Sequence, residues 1–156
     1  MDQNWRHLPP PARPIAAAAS DAVMAAQDRD PVALDRGAEL LGAQDPTQTG
    51  LILGVAVRLL LEDGHPGGLD GEAVRKVLEQ CVRDSAGWQP EVDPHVVLLL
   101  LAGALGVLDE DGSAPPKPDV LARHAALLIA GLLGARPVAP VLTAALADIE
   151  RTQLND

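Results

Sequence analysis

Leucine, valine, isoleucine and alanine recur along this chain at three- and four-residue spacing, the period of one helical face. Few stretches alternate with period two, so strands are not expected. Aspartate and proline punctuate the pattern. Asp30-Pro31, Asp45-Pro46 and Asp93-Pro94 each place a capping carboxylate before a proline, whose missing N–H costs nothing in a first turn. Asp70, followed by Gly71 and Glu72, reads as a fourth cap. With breaks at 64–68, 87–90, 111–117 and Arg136-Pro137, the pattern predicts about seven helices, over 14–27, 31–43, 46–62, 70–86, 94–108, 118–133 and 138–153. Residues 1–13, with Pro9, Pro10 and Pro11, read as an extended N-terminal arm. The expected architecture is an all-α, single-domain bundle over 14–156.

The apolar positions also predict which helices lie outside. The fourth helix gathers Ala73, Val74, Val77, Leu78 and Cys81 on one side, with Glu72, Arg75, Lys76, Glu79 and Arg83 elsewhere, as a peripheral helix does. The seventh does the same with Val138, Val141, Leu142, Ala145, Leu146 and Ile149. The third, fifth and sixth are apolar nearly all round, so they are expected to be central or to face another subunit.

A weak repeat underlies the middle of the chain. At an offset of 48 positions, Asp45-Pro46 matches Asp93-Pro94 and Glu62-Asp63-Gly64 matches Glu110-Asp111-Gly112. The spacing is HEAT-like, since helical-hairpin repeats of that type run about 40–47 residues. Two copies are fewer than such arrays need to bury a continuous core. Two similar α-hairpins, 45–87 and 93–134, in one bundle are therefore the favoured reading.

Composition changes the picture in two places. The 156 residues include two Trp and no Phe or Tyr, so the core must be built from aliphatic side chains. The net charge of −10 lacks the basic stripe that phosphates require, so a nucleic-acid partner is not expected, and anionic membrane surfaces are disfavoured likewise. No apolar run reaches the roughly 20 residues that span a bilayer. One cysteine permits no internal disulfide, and with no signal-like N-terminus the expected location is cytoplasmic. Arginine in excess of lysine points to a GC-rich bacterial genome.

No residue pattern marks catalysis, a cofactor or a metal. His7, His65, His95 and His124 lie in no zinc-type spacing. The acidic turn at Asp109-Glu110-Asp111-Gly112 fails as a calcium loop, because Val107 and Pro118 fall where oxygen ligands are required. Gly64-His65-Pro66-Gly67-Gly68 lacks the Lys-Ser/Thr of a phosphate loop. Cys81 sits on an apolar helix face, where a buried, inert thiol is expected.

Trp5 and Trp88, with Arg75 and Arg83, are the candidate interaction residues, since aromatic and arginine side chains anchor interfaces. The resulting expectation is a non-enzymatic protein–protein interaction or adaptor module that binds a protein partner and self-associates as a homodimer. The alternative is a helical small-molecule sensor. It would have an apolar pocket between helices 3, 5 and 6, with polar groups from Arg58, Arg123, His124 and Thr49.

Overall fold

The computed structural model describes residues 12–107 and 116–154. Among them are seven helices and no strand: α1 (Ala12–Gln27), α2 (Pro31–Gly42), α3 (Pro46–Gly64), α4 (Gly71–Ala86), α5 (Pro94–Ala104), α6 (Pro118–Leu133) and α7 (Ala139–Leu154). The capping aspartates act as their sequence context requires. Asp30 accepts from the Ala33 N–H at 3.1 Å, Asp70 from Ala73 at 2.8 Å and Asp93 from His95 at 2.9 Å. Asp45 accepts from both Thr47 and Gln48. Each satisfies first-turn donors that have no partner inside the helix.

Several boundaries differ from the sequence reading, and two of them show local backbone geometry at work. α1 begins at Ala12, so Arg13 and Pro14 belong to its first turn, where proline is tolerated; residues 1–11 of the expected arm lie outside the described residues. α5 stops at Ala104 rather than 108. Gly106 adopts φ +73°, and the Val107 N–H reaches the Ala102 carbonyl at 2.9 Å. This left-handed glycine closes the helix and satisfies its last carbonyls. α1 ends in the same motif, with Arg29 at φ 55° in the left-handed position.

The centre of the bundle is α6, which packs against α1, α2, α3, α4 and α5. Nine of its sixteen residues are buried, among them Ala122, Ala125, Ala126 and Ala130. Small side chains there let several helices approach one axis. α1 is equally buried, mainly through alanines, and packs on α2 so closely that a Cβ on Gly37 would lie 2.9 Å from the Ala22 Cα. α3 pairs with α7, and both helices add buried aliphatics to the core, among them Ile52, Ala56 and Leu142.

The expectation that helices 3, 5 and 6 form the centre therefore needs correction. α5 buries only Val96, Val97 and Leu101, and its place inside is taken by α1. The paired-hairpin expectation changes too: α4 packs against α5 and α6, not as a hairpin on α3. The residues 65–70 between them are a loop long enough to separate the two helices. The acidic end of α3 finds its own partners, with Glu62 bound to Arg58 at 3.3 Å and Asp63 to Arg136 at 3.2 Å. These arginines offset the unfavourable placement of carboxylates at a helix C-terminus. The matching turn at 109–112 lies outside the described residues.

Candidate functional site

Three of the four polar residues expected to line a pocket are engaged elsewhere. Arg58 bridges α3 to α7, with Nη2 donating to Asp148 at 2.7 Å. Arg123, largely buried, donates to Asp35 of α2 at 3.0 Å and lies 3.6 Å from Glu91 in the α4–α5 linker. His124 is 1% exposed. Its Nε2 accepts from the Asp93 N–H, and its Nδ1 donates to the Val120 carbonyl at 2.8 Å. Burial holds its pKa below the ordinary value, reinforced by the neighbouring Arg123 charge, so the neutral imidazole is the folded form. Thr49 is buried in α3, and its hydroxyl has no hydrogen-bond partner among the described residues. α3, α5 and α6 pack directly on one another, and a cavity lies between α4 and α6 instead.

That cavity has a volume of about 490 Å³. Its apolar lining is formed by Ala73, Val77 and Cys81 of α4 on one side and Leu128, Gly131 and Leu132 of α6 on the other. Asp70, Glu72 and Asp84 stand on its rim with a single lysine, Lys76. A second cavity of about 210 Å³ continues from it toward the end of α1, sharing Cys81, Asp84 and Gly131. Trp88 and Arg29 line this part, and Trp88 is half-buried against the core. The two cavities form one groove along α4. It exists because α4 is held lightly: only Cys81 and Ser85 are buried on it, while Val74, Val77 and Leu78 remain half-exposed.

Cys81 lies at the junction of the two cavities, but its thiol is pushed up to about 11, chiefly by burial. This is opposite to the electropositive setting that activates a cysteine. Among the described residues, no group of three or more His, Cys, Asp or Glu side chains is arranged to hold a metal ion. Nor is any described helix long and apolar enough to cross a membrane.

Of the four interaction candidates, Trp88 borders the groove, whereas Arg75 and Arg83 are exposed on α4 and do not line it. Trp5 lies outside the described residues. The groove itself was not foreseen from sequence. Its one visible signal was a helix whose apolar stripe is punctuated by acidic residues at its edges. Compared with protein-family models, curated protein sequences and solved structures, the chain matches none.

Proposed function

We propose that this chain is a non-enzymatic interaction module of the cytoplasm, which pairs with a second copy of itself through α3 and α5 and binds a further protein partner. The observation that carries this reading is the uncharged surface over the first two-thirds of α3 and the whole of α5. α3 and α5 pack on each other, and each exposes a leucine: Leu51 is 41% and Leu98 44% exposed, with Val107 beyond them at 68%. No Asp, Glu, Lys or Arg occurs over residues 46–57 or 94–107. Two chains of charge −10 repel at long range. A contact free of ionic groups adds no close like-charge pairs and no charge desolvation, and exposed apolar surface favours association.

The titratable side chains support a non-catalytic role. Both ring nitrogens of His124 are spent on backbone groups, and Cys81 is a buried, protonated thiol. A thiol of this kind also suits a reducing compartment. Light scattering at tens of micromolar is expected to give twice the 16.2 kDa chain mass. Leu98→Glu is expected to give a monomer of unchanged helical content. A wild-type monomer under those conditions overturns the self-association.

A further inference from the structure

We propose that the groove between α4 and α6 binds an amphipathic helix of a partner protein, with basic residues flanking its apolar face. This surface is separate from the α3–α5 face, and the proposal stands whether or not the chain dimerises.

The shape comes first. Ala73, Val77 and Cys81 recur at four-residue spacing along α4 and line one wall, while Leu128 and Leu132 line the other. Lining residues run from Glu72 to Asp84, about 18 Å along a helix at 1.5 Å per residue. The trough is thus about three turns long on its α4 side, a length that matches a short docking helix. On its α6 side, a Cβ built on Gly131 meets nothing within 4 Å. A docking helix can approach closely there, as it does wherever a small residue bares the backbone. An extended strand is disfavoured, because helical walls have no free backbone donors and acceptors to pair with it.

Charge then selects the partner. Asp70, Glu72 and Asp84 border the trough against Lys76 and, at the α1 end, Arg29, on a chain of net charge −10. Lys76 already lies 3.9 Å from Glu72, so it offers little to an acidic ligand. Lysines or arginines beside the apolar stripe of an incoming helix would meet the rim carboxylates, and the field of the whole chain would speed their encounter.

The test is fluorescence anisotropy with labelled peptides of about 14 residues, roughly 21 Å long as helices. One is a Leu/Lys peptide with leucines on one face, one has the same composition scrambled, and one replaces Lys by Glu. The facially arranged Leu/Lys peptide is expected to bind at least about tenfold tighter than either control. Gly131→Leu, which fills the trough, and Asp84→Lys, which reverses an exposed rim charge, are each expected to weaken it by about tenfold or more. Leu98→Glu is expected to leave it unchanged, which separates this result from the fate of the dimer. Equal binding of the scrambled peptide shows attraction by charge alone and overturns the proposal. Undiminished binding by both groove variants does so too. A groove that takes up an apolar dye, from which the Leu/Lys peptide cannot displace it, points to a small-molecule site and overturns it as well.

Discussion

The Nε2 atom of His124 on α6 accepts the backbone N–H of Asp93 at 2.9 Å, and Asp93 in turn caps α5. One buried imidazole thus joins the hub of the bundle to the start of a peripheral helix. With Nδ1 donating to the Val120 carbonyl, a single tautomer satisfies both contacts.

Stability should therefore depend on pH through this residue. Burial lowers the folded-state pKa of His124 below 6.5, so the unfolded chain binds more protons as pH falls through that value. The contribution is complete above about pH 6.5 and declines below it, down to the folded pKa. The urea midpoint is expected to fall between pH 8 and pH 5.5, and this slope is expected to shrink in His124→Gln. That variant should also lose roughly 2 kcal/mol at pH 8 from the disturbed buried contacts.

Two glycines in helices should respond in opposite directions to alanine. In Gly37→Ala the new methyl meets the Ala22 backbone at 2.9 Å, so α1 and α2 must separate, at a cost of about 1–3 kcal/mol. Gly54 lies in the interior of α3 with open space at its Cβ position. Gly54→Ala is expected to stabilise by about 0.5–1 kcal/mol through the smaller entropy of the unfolded chain. Paired thermal melts check both signs.

The thiol of Cys81, raised to about 11 and 4% exposed, should be nearly inert in the folded protein. At pH 8, an aromatic disulfide reagent is expected to modify it only as fast as the chain opens, and rapidly once urea unfolds it. Rapid labelling of the native chain at a rate unaffected by urea below the transition would show that the α4–α6 groove reaches the sulfur.

Helix positions were legible because their signals act over a few residues. A carboxylate at Asp30, Asp45, Asp70 or Asp93 meets N–H groups two or three residues onward, whatever the rest of the fold does. The outer face of α7 was legible for a related reason. Polar and apolar residues divide cleanly around it, and Val138, Leu142 and Ala145 are buried as that division requires.

The candidate site was hardly legible. Alanine favours helix but declares no side, so α1 gave no sign that it would be as buried as α6. α5 carried the more continuous apolar run and yet lies outside. His124 and Arg123 looked like pocket residues, but their partners Asp93 and Asp35 lie 31 and 88 positions away.

By itself, then, the sequence determined seven helical segments, their caps and the side of the amphipathic ones that turns inward. Which helices meet, and that α4 stands off α6 far enough to leave a groove, was decided only by tertiary structure. The physical reason is one of range. Capping and periodicity are settled within one or two turns of chain, whereas the choice among several apolar faces depends on how all of them fill space together around α6.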